Sequence, residues 1–370
     1  MPPSVNDRIA EQALSHAVDL QQYSNQVVRR MLQVLNRTDA RLYAELAAAL
    51  ERMDPASFTV ERLESMLYSV RAVNAEAYAL VGRELTDELR SLVEYEAAYQ
   101  RSALVAVLPV QVSVAAVSAE VVYTAAMARP MQGLLLRGVL DDMAAGKAKK
   151  IRQTIAQGFT ESKTTDQIIR ELRGTKAKGY ADGLMEGTRR DIEAVTRTAL
   201  GHMAGFTQDR FIEANVDLVK AVVWSSTLDL RTSDICRIRD GLQFTPDTHK
   251  PIGHSVPWLG GPGRAHWRCR SHQTTVLKSF SDLGMDIPEI VVKGKSRASM
   301  DGQLPADTSY AQWLEKQSAA RQIEVLGATR AKLMRDGKLP LEALYSQKGQ
   351  YKTLAQLRAS DAAAFTRAGL

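Results

Sequence analysis

Apolar residues recur at steps of three and four through the first third of the chain, and this spacing predicts long amphipathic helices. Ile9, Ala13, Ala17, Leu20, Val27, Met31 and Leu35 mark the first stripe. Asn36-Arg37-Thr38-Asp39, a run of capping residue types, is expected to break it. Leu42, Leu46, Leu50 and Met53 define a second helix. Asp54-Pro55 should end that helix, because the residue before a proline is pushed out of the α region. A third helix is expected from about Val60 to about Tyr95, with Leu63, Leu67, Val70, Val81, Leu85 and Leu92 on its face. Helices of this length bury a stripe against one another or against another chain.

Ser102 to Ala119 is an uncharged run of 18 residues, long enough to be considered as a membrane span. Pro109, Gln111, three serines and five alanines dilute its hydrophobicity, and Val110, Val112 and Val114 alternate with the period of a strand. A buried strand, an extended connector or a subunit contact is the better expectation. Helix resumes near Val121, is interrupted at Arg129-Pro130, continues through Leu134–Met143 and is expected to close at Gly158. Thr164 or Thr165 can cap the next helix, which carries Ile168, Ile169 and Leu172 and ends at Gly174. Thr175 to Gly187 reads as a loop, and Arg189 to about Asn215 as a long helix.

The texture then changes. Leu218–Ser225 is rich in valine and reads as a strand, Asp240-Gly241 as a tight turn, and Leu242-Gln-Phe244 as the returning strand. A proline-rich loop over residues 245–263 precedes a third strand at 273–278. Beyond it, helices are expected at Thr308–Leu326, closed by Gly327, and at Thr329–Arg335, closed by Gly337. The fold class is therefore mainly α with a small α+β C-terminal module. Its regions are a helical part at 1–100, an apolar connector at 101–130, a central helical part at 131–215, a β module at 216–280 and a helical extension at 281–370.

Composition narrows the function classes. With 370 residues, 45% hydrophobic and 24% charged, the chain is neither disordered nor collagen-like. Two cysteines exclude a disulfide scaffold, and the start lacks the pattern of a secretory leader. The net charge is +6, but residues 1–130 carry 12 arginines, no lysine and 16 acidic residues, a net of −4 against +10 for the remainder. The basic run Lys147, Lys149, Lys150 and Arg152 is the candidate phosphate contact, weighed against an ordinary solvated helix face.

Chemistry concentrates between Trp224 and His272, where four of the six histidines, three of the four tryptophans and both cysteines lie. Cys236, His266 and Cys269 have the residue types of zinc ligands, with His272, His254 or His249 as a fourth. No cofactor is expected beyond this candidate zinc, from which a small module with short strands would gain stability. Two free buried thiols and a Cys236–Cys269 disulfide are the competing readings. Cys236 with a histidine, or His266 with Asp240, is the candidate catalytic pairing. Phosphate-loop, dinucleotide, HExxH and GxSxG motifs are missing from the sequence.

Taken in order, Trp224-Ser-Ser-Thr-Leu-Asp229-Leu-Arg231-Thr232, Cys236, Asp240-Gly241, a proline loop and His266-Trp-Arg-Cys269-Arg270 resemble the core of the phage minor head, or head morphogenesis, family that includes the F protein of phage Mu. That family's pattern runs W-x-S-x-x-D-x-R-T, C-x-x-C, D-G and H-P-x-C-R-C. Ala194-Val195-Thr196-Arg197-Thr198, residues 151–174 and the tail around Tyr310, Trp313 and Leu314 extend the resemblance over about 150–345. Ser233 and Ser271 stand where the family has its first and last cysteines, and Trp267 replaces the usual proline. Serine is not a usual zinc ligand, so a site of four cysteines is excluded, while one of two cysteines and two histidines remains.

The resemblance implies a structural protein of the virion, made in the host cytoplasm and not an enzyme. It would act in few copies near the portal vertex, in contact with the portal protein, other capsid proteins and packaged or exiting double-stranded DNA. Asp229, Arg231 and Thr232 are expected to hold the strand–turn junction, with Arg231 pairing a carboxylate and Thr232 capping. The alternatives are a metal-assisted nuclease built on the Cys/His cluster and a membrane-active ejection protein built on Ser102–Ala119.

Overall fold

A computed structural model describes residues 4–52, 59–108, 112–178, 180–285, 296–305 and 307–370. It is mainly helical, with a small antiparallel sheet in the C-terminal half, as the periodicity predicts. The helices are α1 (Val5–Glu51), α2 (Val60–Val107), α3 (Ala119–Met127), α4 (Leu136–Thr160), α5 (Thr165–Arg173) and α6 (Leu184–Ala214). The sheet region comprises β1 (Val219–Ser225), α7 (Asp234–Arg237), β2 (Gln243–Phe244), β3 (Pro251–Ile252) and β4 (His272–Leu277). A hairpin of β5 (Ser296–Ser299) and β6 (Gly302–Pro305) follows. The tail holds α8 (Tyr310–Glu315), α9 (Ala319–Leu326), α10 (Ala328–Arg335), α11 (Leu354–Ser360) and α12 (Ala362–Arg367).

The chain divides into two compact units, each discontinuous in sequence. One unit comprises Gln22–Val93 and Tyr123–Met203. Its core joins Leu42, Leu46 and Leu50 of α1 to Leu63, Leu67 and Val70 of α2, Ile151 and Ile155 of α4 and Ile168 and Leu172 of α5. Here the expected break at residues 36–39 does not occur, and α1 runs through it. Thr38 Oγ1 donates back to the Leu35 carbonyl at 2.8 Å, so the hydroxyl is satisfied without ending the helix. Asp39 is buried, and its Oδ1 accepts from Lys147 Nζ at 2.6 Å. The proposed end at Met53 and Asp54-Pro55 lies outside the described residues.

The same ion pair corrects the reading of the basic run. Lys147 is buried under the ring of Tyr78 and is withdrawn from any phosphate. Arg152 is bonded to Glu64, while Lys149 and Lys150 are exposed. Gly158 lies inside α4 and does not close it. A Cβ there would meet Ile168 Cγ1 at 2.5 Å, so glycine is needed for the close approach of α5. Thr164 caps α5 in a reciprocal capping box with Gln167, and Gly174 ends it, both as expected. Residues 184–187, read as loop, are the first turn of α6.

The other unit comprises Met1–Gln21, Glu94–Val122 and Ala204–Leu370. Strand order is β3-β2-β1-β4, all antiparallel. The strands expected at 218–225 and 273–278 are β1 and β4, and β2 returns where Leu242–Phe244 was expected. The link from β1 to β2 is no simple hairpin, since residues 226–242 make an excursion that contains α7. Ile9 of α1, Leu104 and Val107 of α2, Phe211 and Ile212 of α6 and the β1 residues Val222 and Trp224 share one core.

The apolar run at 102–119 is divided. Residues up to Val107 belong to α2, and residues 112–118 belong to no helix or strand. Asn215 supplies what a partner strand would, since its Oδ1 accepts from Ala115 N at 2.8 Å and its Nδ2 donates to Ala115 O at 3.1 Å. Val114 is thereby held in the core. Pro109, Val110 and Gln111, on which the strand reading leans, lie outside the described residues. Among the described residues no helix is long and apolar enough to cross a membrane.

The tail forms its own cluster around Tyr310, Trp313, Leu314, Leu326, Leu333 and Leu357. The single helix expected at Thr308–Leu326 is two helices, because Ser318 caps a new one. Gly327 ends α9 as expected.

Replacing Lys147 by methionine should leave the Asp39 charge buried and uncompensated, costing about 3–5 kcal/mol. Adding Asp39→Leu to Lys147→Met should recover most of that loss. Urea unfolding of the three proteins measures both effects, and equal stability of the single and double variants would contradict them.

Candidate metal centre

The sulfur-bearing site is assembled by two short segments. Thr232 Oγ1 donates to the Thr227 carbonyl at 2.5 Å and to Asp229 Oδ1 at 3.1 Å, closing the turn after β1. Asp229 is gripped from the other side by Arg270, whose Nη1 and Nη2 donate to its two carboxylate oxygens at 2.5 and 2.8 Å. Arg270, not Arg231, is therefore the carboxylate partner. Arg231 is exposed, and its backbone N–H donates to Asp229 Oδ1. Thr232 is a turn lock rather than a helix cap. The cap of α7 is Ser233, which accepts from the Cys236 N–H at 3.4 Å.

That short helix sets Cys236 facing the loop before β4. Cys236 Sγ lies 3.6 Å from Cys269 Sγ and 3.2 Å from His266 Nε2. Ser233 Oγ lies 2.8 Å from the same ring nitrogen, and the Ser271 hydroxyl also bonds Cys236. The other ring nitrogen, Nδ1, is 2.8 Å from the Trp267 carbonyl. Cys236, His266 and Cys269 are thus brought together as a set that could hold a metal ion. The two cysteines are free thiols and buried, while His266 and Ser233 are half-buried.

The electrostatics split the thiol pair. The hydrogen bond with Cys269, aided by burial, holds the Cys236 thiol well above the usual thiol range. The bond from Cys236, aided by His266, pulls Cys269 well below it. Burial opposes a charge on His266, but the bond and charge of Cys269 and the Trp267 carbonyl outweigh it, and the imidazole titrates above its ordinary value.

The remaining histidines named as fourth ligands are elsewhere. His272 opens β4 opposite Ser225 and is not among the donor atoms gathered around Cys236. Burial, then nearby Arg297 and His16, push its imidazole down to about 3. His254 Nε2 meets the Gln243 carbonyl at 2.8 Å and its Nδ1 accepts from Val256 N–H, which locks the proline loop. His249 stacks on Trp258 with ring centroids 4.6 Å apart.

Asp240 is unsuited to acid–base work with His266, because its oxygens are already engaged. Oδ1 accepts from Ser226 N–H at 2.7 Å and Arg297 Nη2 at 2.6 Å; Oδ2 accepts from Arg297 Nη1 at 2.9 Å and Tyr310 N–H at 2.7 Å. Gly241 takes φ +80° directly after it, a conformation that favours glycine, and its N–H donates to the Trp224 carbonyl. Trp224 is fully buried, with Trp258 edge-on at 5.5 Å. Sequence reasoning missed Arg297 and Arg239. Arg239 is fully buried and donates to the carbonyls of Pro257, Ile235 and Gln347, and burial pushes it down to about 10. A lone arginine in a sequence carries no sign that it will bond carbonyls from three segments.

Two pH effects follow. Burial opposes ionisation of Asp229, but Arg270, Thr232 and the Arg231 N–H outweigh it and depress its carboxyl. Its contribution is therefore full above the unfolded carboxylate value of about 3.9 and lost as pH falls through the lower folded value. Asp229→Asn should cost about 1.5–3 kcal/mol at neutral pH and flatten the acid limb of stability. His272 must charge on unfolding below about pH 6.5 but stays neutral in the fold, so it lowers stability as pH falls from 6.5 toward 3, by at most about 1.4 kcal/mol per pH unit. Urea titrations of wild type and His272→Gln across that window should show a shallower slope for the variant.

No family model, curated protein or solved structure matches the chain.

Proposed function

We propose that this chain is a minor head protein of a tailed bacteriophage, acting in capsid assembly near the portal vertex. One observation carries the reading. The residues of the ordered motif, scattered over 224–270, converge on one turn-and-helix unit, and the two serines that replace family cysteines, Ser233 and Ser271, both bond around Cys236. Asp229, Thr232, Asp240, Gly241 and Arg270 are all spent on holding that unit. Such employment suits an assembly protein, whose surface must be shaped rather than reactive.

The portal protein and other capsid proteins are the partners in this reading, and the virion is the location. Exposed Lys149 and Lys150 on α4 are the side chains of the basic run left to meet DNA phosphates. The nuclease alternative loses its acid–base candidate, because Asp240 already accepts four hydrogen bonds.

Co-expression of the full chain with the portal and major capsid proteins of the same genome should yield particles that contain it, detected by sedimentation and mass spectrometry. Incubation with duplex DNA and Mg²⁺ or Zn²⁺ should leave the DNA intact. A chain excluded from particles, or one that cleaves DNA, would overturn the reading.

A further inference from the structure

Three donor atoms already stand near the positions that a tetrahedral ion requires. With Zn–S of about 2.3 Å and Zn–N of about 2.0–2.1 Å, tetrahedral angles place two sulfurs about 3.8 Å apart and a sulfur and a nitrogen about 3.6 Å apart. The observed separations are 3.6 Å for Cys236 Sγ to Cys269 Sγ and 3.2 Å for Cys236 Sγ to His266 Nε2. All three donor atoms lie within 4.8 Å of one another. A disulfide would need the sulfurs at about 2.0 Å, a much larger displacement of two buried side chains.

The ring of His266 is oriented as metal-binding imidazoles are. Its Nδ1 faces the Trp267 carbonyl at 2.8 Å, so that nitrogen donates, and in the neutral ring the lone pair of Nε2 is turned to the sulfurs. The fourth neighbour is Ser233 Oγ, 2.8 Å from Nε2. A serine hydroxyl is not a usual zinc ligand, and His272 is committed to β4. On the Ser233 side the site reaches the surface, since Ser233 and His266 are half-buried and Trp267 is exposed.

We propose that Cys236, His266 and Cys269 bind one zinc-class ion through two sulfurs and one imidazole, and that the fourth vertex, beside Ser233, takes a water that a small ligand can displace. Such a donor set selects a borderline-soft ion of tetrahedral preference. The bound state holds both sulfurs as thiolates and the imidazole neutral; the protons of the Cys236 thiol and of the Cys269–His266 pair go to solvent, and no electrons move. Ser233 and Ser271 are left as hydroxyls that hydrogen-bond around the sulfur. The site differs from a closed centre, with all four ligands from cysteine and histidine, in having a replaceable ligand, and it does not depend on the head-protein reading.

The test uses the full chain, purified with zinc and a phosphine reductant. Elemental analysis should find one zinc per chain, retained in His272→Gln and lost in Cys269→Ser and in Cys236→Ser. Because a buried cysteine variant can misfold, the unmodified chain is also titrated with Co²⁺. A thiolate-to-cobalt charge-transfer band should appear, and azide or imidazole should shift the ligand-field bands. In Ser233→Cys the charge-transfer band should grow and the response to azide should vanish. Two freely titrating thiols without metal, or a Cys236–Cys269 disulfide in protein purified with zinc and no reductant, would overturn the proposal. Loss of zinc in His272→Gln, or cobalt bands that ignore azide in the unmodified chain, would overturn its open vertex.

Discussion

The carboxylate of Asp240 is the constraint on which the C-terminal module depends. It is almost fully buried, and a buried charge without partners would cost several kcal/mol. The fold offsets that cost with donors from three places: the backbone after β1 at Ser226, the guanidinium of Arg297 on β5, and the first N–H of α8 at Tyr310. Arg297 also bonds the Ser226 and Thr308 carbonyls, so the hairpin cannot leave without exposing several groups at once. Sheet, hairpin and tail are thus joined by one side chain, and the tail core around Tyr310 and Trp313 begins at that join.

From this carboxylate a line of hydrogen bonds leads to the sulfur site. Ser226 donates its N–H to Asp240 and its hydroxyl to the Cys236 carbonyl at 2.9 Å, and Ser271 reaches the Ser226 hydroxyl at 3.4 Å. The helix that carries Cys236 is only one turn long, too short to hold its own shape. It is held by its ends, through the Ser233 cap and the turn locked by Asp229, Thr232 and Arg270 on one side and through Asp240 on the other. The donor geometry is therefore a product of the polar framework rather than of local helix propensity.

Much of this architecture was legible in the chain. The stripes that begin at Ile9 and Leu63, the capping residue Thr164, the terminating Gly174 and the valine-rich β1 all follow from spacing and residue type. Failures occurred where a partner distant in sequence changed a residue's meaning. Asp39 and Thr38 have the character of a break, yet a lysine 108 positions away and a carbonyl one turn back keep them helical. Lys147 has the character of surface until that partner is known. At the site, the residue types that group Cys236, His266 and Cys269 in the sequence are matched by donor atoms within 4.8 Å of one another, while His272, His254 and His249, grouped with them by residue type alone, lie elsewhere.

These failures share a cause with the module's design. Strands β2 and β3 are two residues long and cannot supply a large hydrophobic core of their own. Uniqueness must then come from polar groups that are satisfied in one arrangement and costly in others. Arg239 shows the same principle in its purest form, since it is buried with three carbonyls as its partners. Sequence periodicity reports burial of apolar faces and is blind to such networks, so a module built on them shows itself as an ordered scatter of Trp, Asp, Thr, Cys, Gly and Arg over some fifty positions rather than as a stripe. An ion held by Cys236, His266 and Cys269 would extend that network by one more cross-link, between the α7 turn and the loop before β4.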